Sequence, residues 1–267
     1  MMTWSHSHKV KTALLLTTLS LATSSVFAET TYFNLLPAQL FGKTWRPVIS
    51  LGAGVAVTND LGANNYFPVV NPTTDEFYYY QPEHSSTTAG LFDTFIGGEW
   101  ALCDNWLLQT GLGYDVATSY RVNGTLTQGA DVLSQNVYAY HYQIMNQQLM
   151  AEAKLLYKFM ERYHPYVMLG LGASFNSVYN FSTNVPPFLS FTRDFKNYLN
   201  TSFTYSFGLG VDVDVAQNVR VGLGYRFADL GNAASGGSSI NSTHVSGSLS
   251  QSHMYVNQVL AQITYLQ

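Results

Sequence analysis

Charge is scarce in this chain. Asp, Glu, Lys and Arg make up 10% of its 267 residues, against about 25% in ordinary soluble domains. Basic residues are scarcer still, at 12 against 16 acidic. That excludes the basic surface that grips nucleic acid, so no nucleic-acid partner is expected. Cysteine is almost absent. Cys103 stands alone, which excludes an internal disulfide framework and a cysteine-based zinc site. Beyond residue 28 there is no apolar run of about 18 residues or more, so no transmembrane helix is expected. What the chain does have is aromatic: 15% of it, with 19 Tyr and 16 Phe, alongside 21 Gly. A disordered chain would be charged and poor in aromatics.

The first 28 residues read as an export signal. Lys9 and Lys11 form a basic start, Ala13 to Ala22 an apolar stretch, and Val26-Phe27-Ala28 a small-residue cleavage site. The apolar stretch is too short, and too interrupted by Thr and Ser, for a membrane anchor. Cleavage after Ala28 takes the basic count from 12 to 10 against 16 acidic, so the formal charge moves from −4 to −6. Residues 29–44 would then be a periplasmic lead, in which Leu35, Leu36, Gln39 and Leu40 suit either a short amphipathic helix or a plain approach to the first strand. An exported chain that is apolar, charge-poor and free of spanning helices has one other way to live in a membrane, a closed β-barrel.

Alternation of apolar and polar residues supports that expectation. Ile49, Leu51, Ala53, Val55 and Val57 share one face, opposite Ser50, Gly52, Gly54, Ala56 and Thr58. Every second residue from Trp106 to Val122 forms a largely apolar face that includes Leu112, Tyr120 and Val122, opposite Gln109, Asp115 and Arg121. Phe203 to Val215, Phe92 to Leu102, Val167 to Phe175, Val219 to Phe227 and Val259 to Tyr265 repeat the pattern. In the eighth segment, Tyr138 to Phe159, we place Leu149, Ala151, Ala153, Leu155 and Tyr157 outward and Glu152 and Lys154 inward, with a phase slip near Asn146-Gln147-Gln148.

Between these segments, long gaps at 59–87, 123–137, 180–200 and 231–253 alternate with short ones at 103–105, 160–164 and 216–218. Long loops outside and short turns in the periplasm are the pattern of a bacterial outer-membrane barrel. The expected fold is therefore all-β: an eight-stranded antiparallel up-and-down transmembrane β-barrel over 45–267. The aromatics Tyr78-Tyr79-Tyr80, Trp100, Trp106, Tyr138, Tyr140, Tyr142, Tyr163, Tyr166 and Tyr265 are expected at the two membrane interfaces.

Pro165 to Gly172, Phe207 to Asp212 and Val221 to Phe227, each beside a short turn, carry a resemblance. Over about residues 45–267 the chain resembles the small outer-membrane β-barrel family of opacity-like and outer-membrane-protein-A-like porin domains. The resemblance implies residence among outer-membrane lipid and lipopolysaccharide, and insertion by the outer-membrane assembly machinery. Such barrels usually end in an aromatic residue that helps this machinery recognise the last strand. Here Tyr265 takes the penultimate aromatic slot and Gln267 the final one.

Inward acids Asp93, Glu99, Asp115, Glu152, Asp212 and Asp214 would face inward bases Arg121, Lys154, Arg220 and Arg226. Eight strands leave an interior that side chains fill, so the expected role is a structural ion-pair network. The alternative is an ion path or gate built from the same pairs. No histidine pair has metal-binding spacing on one element, and no cofactor is expected. His244-Val245-Ser246 resembles the His-x-Ser of barrel-borne lipid A deacylases, but the Glu that orients the His in that family has no counterpart after Glu161. Asp93, Asp115 or Asp229 would have to serve instead.

The remaining candidates lie in the loops. The first holds Tyr66, Phe67 and Phe77 to Tyr80. The third holds Phe188, Phe191, Phe195 and Tyr198 beside Arg193 and Lys196. Aromatics with arginine favour partner binding, which makes Tyr78, Tyr79, Phe188 and Phe191 candidates for contact with a host or matrix ligand. Packing in the outer leaflet or over the barrel mouth is the other reading. The expected function is a surface protein with a structural or adhesive role and no enzymatic one. A narrow porin-like channel and a lipid A-modifying enzyme are the alternatives.

Overall fold

The computed structural model describes residues 39–40, 43–71, 74–84, 86–129, 135–186, 193–240 and 243–267. The export signal, most of the lead, Phe188 and Phe191 lie outside these residues.

Eight long strands carry the fold: β1 Lys43–Thr58, β2 Thr87–Cys103, β3 Trp106–Gly129, β4 Gln135–Tyr157, β5 Tyr163–Thr183, β6 Tyr198–Ala216, β7 Val219–Asp229 and β8 Tyr255–Leu266. Each pairs antiparallel with the next in sequence. β8 then pairs back onto β1, from Asn257↔Val57 to Leu266↔Val48, and closes the ring. Closure leaves the barrel wall without an exposed edge, so its backbone polar groups are satisfied within the wall. Just before β1, Gln39–Leu40 pairs with Lys43 and Thr44 as a short extended piece, so a helix does not reach these two residues.

The period-2 pattern sorts side chains as anticipated in the lower barrel. Leu51, Ile96, Leu112, Leu169, Leu209, Leu223 and Ile263 point outward, each about 60% exposed. So broad an apolar surface is what a bilayer covers. Most inward positions are small, polar or charged, with Phe95, Met150 and Leu260 among the apolar exceptions. Leu266 is buried against Val48 and Phe95, and the Gln267 N–H donates to the Pro47 carbonyl, so pairing runs to the end of the chain.

In the upper part of β3 the expected phase fails. Ala117 faces Asn146 on β4, while Ser119 faces Met145, so Thr118 is an extra residue on β3. The bulge reverses every later side chain on this strand. Tyr120 and Val122 turn inward and are buried, and Arg121 turns outward. The slip expected on this segment near Asn146–Gln148 does not occur: β4 keeps one phase from Tyr140 to Glu152, and the extra residue is Thr118 on its partner β3.

Much of the expected loop is strand. β3 and β4 pair without interruption up to Gly129↔Gln135. They run 24 and 23 residues, where a tilted strand crosses a bilayer in about 9–11, so this hairpin stands well above the membrane. The first loop folds into its own hairpin, Asn65–Asn71 against Thr74–Pro82. Its second strand adds to the top of β3, from Phe77↔Gly129 to Pro82↔Gly124. The third and fourth loops are knitted together: Ser238–Ile240 pairs with both Asp194–Phe195 and Thr243–Val245, and Ala233–Ala234 pairs with Ser250–Gln251.

Candidate functional site: an ion-paired lumen beneath an aromatic cap

The barrel interior is layered. Nearest the short turns, Arg220 on β7 pairs with Glu99 on β2 and donates from Nε to Asp214 Oδ1 at 2.7 Å. Arg46 on β1 also pairs with Glu99, and Gln109 Nε2 donates to the same carboxylate at 2.9 Å. His164 on β5 bonds Asp214 at 2.8 Å. Arg46 and His164 share the inward parity of their strands. Sequence reasoning placed the first strand's pattern from Ile49 and read His164 as a turn residue, and so missed both.

The next layer centres on Arg226. Its guanidinium donates to Asp115, lies 3.5 Å from Asp93 and 3.6 Å from Glu152, and its Nε donates to Gln258. Beside it Lys154 bonds Asp212 at 2.8 Å and sits 3.8 Å from the centre of the Tyr166 ring, while Gln262 donates to the other Asp212 oxygen. Gly222 makes room for this carboxylate; a Cβ there would lie 2.1 Å from Asp212 Oδ1. The remaining cavity in this layer is about 30 Å³, room for about one water.

Above lies an amide belt. Asn146 Nδ2 donates to Ser174 and to Asn176 at 2.7 Å, and Asn176 Nδ2 donates to the carbonyls of Leu230 and Asn232 at 2.8 Å. This belt fastens the fourth loop to the barrel wall.

Nine of the ten charged residues anticipated in the lumen therefore join ion pairs there. Arg121 does not, because the Thr118 bulge sends it outside.

The top of the barrel is closed by rings. Tyr80 packs edge-on against Tyr140 at 5.2 Å and Phe195 at 5.3 Å, and Phe181 against Phe195 at 4.9 Å. Tyr120, Tyr142, Leu126, Ile144, Leu230, Leu249 and Met254 complete this apolar cluster. Tyr78, Tyr80, Tyr140, Tyr142 and Tyr166 accordingly face the interior and not a membrane interface. Each falls on the inward parity of its strand. Outward aromatics do occur at the turn end, where Trp106 packs on Tyr157 at 5.0 Å and Tyr163 and Tyr265 are exposed.

Arg193 ties the cap together. It is 3% exposed, sits 4.4 Å from the Phe67 ring and 5.5 Å from the Tyr78 ring, and donates to Ser238 Oγ at 3.1 Å and the Ser246 carbonyl at 2.8 Å. One cation thus joins the first, third and fourth loops. Gly247 permits the approach: its φ is +113°, and a Cβ would lie 2.5 Å from the Phe67 ring. Burial, then the charge of Glu76, pushes the Tyr78 hydroxyl up to about 12, so it stays a neutral part of the cap.

Of the loop candidates, Tyr78 is 3% exposed and unavailable for contact. Alternation along Thr74–Pro82 sends Tyr78 and Tyr80 down into the cap and Phe77 and Tyr79 to the other face. On that face Tyr66 is 59% exposed, stacks on Phe77 at 5.8 Å and lies 6.4 Å from Tyr79.

Asp229 does orient a histidine, His253: Nδ1 lies 2.8 Å from Asp229 Oδ2, and the Gly231 N–H holds the other oxygen at 2.9 Å, while the His244 side chain lies outside the described residues. Among the described residues no serine or threonine hydroxyl bonds to His253, so an activated nucleophile is not assembled there. No group of ligands suited to a metal ion occurs among the described residues either.

A closed eight-stranded barrel with an apolar exterior and an ion-paired interior defines a transmembrane β-barrel of the bacterial outer membrane. The chain belongs to the outer membrane protein beta-barrel domain family, whose model matches residues 53–251. No curated protein sequence matches it. Among solved structures it is similar to the Neisserial surface protein A, at 14% identity over 82% of this chain and 96% of that one, with a TM-score of 0.40. It is similar also to OprG of Pseudomonas aeruginosa, at 12% identity over 82% and 95%, TM-score 0.46. The outer membrane protease OmpT of Escherichia coli matches at 10% identity over 84% and 96%, TM-score 0.42.

Proposed function

We propose that this outer-membrane barrel is a surface-interaction protein that works through its extracellular cap and is not an enzyme. The observation that carries this reading is the two-sided hairpin Asn65–Pro82. One face, with Phe67, Tyr78 and Tyr80, joins the cap; the other offers Tyr66, Phe77 and Tyr79 away from the barrel. Aromatics held on a paired strand lose less entropy on binding than those on a free loop, and aromatic anchors usually supply most of an interface's energy. The third-loop residues Phe188 and Phe191 remain candidates on the sequence alone. The partner class is a host-cell or matrix component. Lipid, lipopolysaccharide and the assembly machinery are the partners of residence, and the nine lumen charges serve stability.

The test replaces Tyr66, Phe77 and Tyr79 with Ser and compares adhesion of expressing cells with that of wild type. Adhesion should fall at least tenfold while the heat-modifiable folded band on gels is retained. Unchanged adhesion with a folded barrel would remove the reading.

A narrow channel is the second reading. Its support is a cleft of 480 Å³ at the turn end, lined by Arg46, Asp104, Lys158, Glu161, Asp214 and Arg220, of which Arg46, Asp214 and Arg220 belong to the lowest ion-paired layer. Against it stands the aromatic cap. Steady single-channel current in planar bilayers would favour it.

A further inference from the structure

We propose that the outer wall of the barrel binds the phosphate of an outer-leaflet glycolipid at Arg121, in the row Arg121, Gln143 and Tyr179. These three residues are cross-strand partners on β3, β4 and β5. Tyr120, Val122, Tyr142, Ile144 and Val178 beside them are buried, so all three side chains point away from the lumen. The bulge at Thr118 puts Arg121 there, because it takes the odd-numbered residues above it off the inward parity of Asp115 and Ala117.

Depth and charge define the occupant. Val116 is the last apolar outward residue of β3, and Thr118, Arg121 and Asn123 follow it, all exposed. With Thr118 discounted, four paired steps separate Val116 from Arg121. At about 3.3 Å per residue and a tilt of about 40° the rise is ~10 Å, so the guanidinium on its long stem reaches the lipid headgroups. Among the described residues Arg121 is the only base that β1 to β8 turn outward above the apolar belt, and no acid on these strands points outward beside it. Its guanidinium has no ion pair or hydrogen bond among those residues. The loop acid Glu83 donates its N–H to the Asn123 carbonyl and makes no ion pair with Arg121.

The row offers donors. Asn180 Nδ2 donates to Gln143 Oε1 at 3.2 Å, which occupies the amide oxygen and leaves the Gln143 NH₂ as the free end. Thr87 Oγ1 donates to the Arg121 carbonyl at 3.2 Å and pins the backbone where the β2–β3 ladder has stopped. The planar fork of arginine binds two phosphate oxygens at once. Directly below, the exposed Leu112, Leu149 and Leu171 offer a surface for acyl chains of the same molecule. That continuity favours a lipid phosphate over a free one.

Native mass spectrometry of the full folded chain tests this, with release from detergent micelles doped with bisphosphorylated lipid A or with the same lipid stripped of its phosphates. The wild type should retain the bisphosphorylated form at least tenfold more. Arg121→Gln should retain the two forms equally, and Lys196→Gln, which removes a loop cation, should behave as the wild type. Inorganic phosphate in hundredfold excess should leave the lipid bound. Heat-modifiable migration on gels checks folding, and if Arg121→Gln does not fold, Arg121→Lys, a point charge without the fork, replaces it and should cut the preference at least threefold. Equal retention of both forms by the wild type, an unchanged preference in the folded Arg121 variant, an equal loss in Lys196→Gln, or displacement by inorganic phosphate would overturn the proposal.

Discussion

At the residue scale, the interior is decided by parity and by charge. Alternation alone placed Asp93, Glu99, Asp115, Glu152, Lys154, Asp212, Asp214, Arg220 and Arg226 inside, and ion pairs join all of them there. Apart from the cross-strand neighbours Asp214 and Arg220, which acid meets which base was not legible, because most partners come from strands that are not adjacent in the ring: Arg226 on β7 reaches Asp115 on β3. Within this set Arg226 has the most partners and is 2% exposed. Arg226→Met keeps the bulk and removes the charge. It strands Asp93, Asp115 and Glu152 in a confined site, and breaking a buried pair in this way costs about 3–5 kcal/mol. Urea titration of the barrel in lipid vesicles should show a loss of that size. A loss under about 1 kcal/mol, the scale of an exposed pair, would mean that water reaches the layer freely.

At the element scale, one residue separates what the sequence reveals from what it hides. Eight segments, their order and their outward faces follow from a period of two, since a strand half in lipid must alternate. A bulge has no such signature. Thr118 is an ordinary strand residue, and nothing local marks it as the one that inserts. Its effect nonetheless covers the whole upper half of β3, from Tyr120 to Leu126, and it sends Arg121 outward. Deleting Thr118 should therefore leave the cap in place: Ser119 would follow Ala117 directly, Ser119↔Met145 would continue the ladder from Ala117↔Asn146, and Tyr120, Val122 and Leu126 would keep their inward side. Limited proteolysis of cells expressing the deletion should cut the extracellular segments at the wild-type rate, and the heat-modifiable barrel should be retained. Cutting at least ten times faster would mean that the bulge itself, and not only the phase it sets, holds the cap.

At the scale of the whole molecule, the barrel has two independent seals. The Arg226 and Arg220 layers fill the lower lumen, and the cap of rings fills the top. Packing over the barrel mouth was one of two readings of the loop aromatics, but which rings meet was not legible, because they are far apart along the chain: Phe67 and Tyr80 of the first loop and Phe195 of the third meet Tyr140 and Phe181 at the tops of β4 and β5. Arg193 is the residue common to the first, third and fourth loops. Its hydrogen bonds to Ser238 and Ser246 and its seat over Phe67 and Tyr78 disappear in Arg193→Ala. A cation over a buried ring contributes about 2 kcal/mol, and the hydrogen bonds from the charged group about 1.5–3 kcal/mol each. The cap should open locally, because the eight strands below make none of these contacts. Hydrogen exchange should then speed up by at least a hundredfold at the amides of 193–197 and 235–249 and stay unchanged in β6 to β8. Planar bilayers should meanwhile record no added steady current, since the ion-paired layers still close the lumen. If current rose as sharply as exchange, the cap would be the only seal and the channel reading would gain the ground that the surface-interaction reading lost.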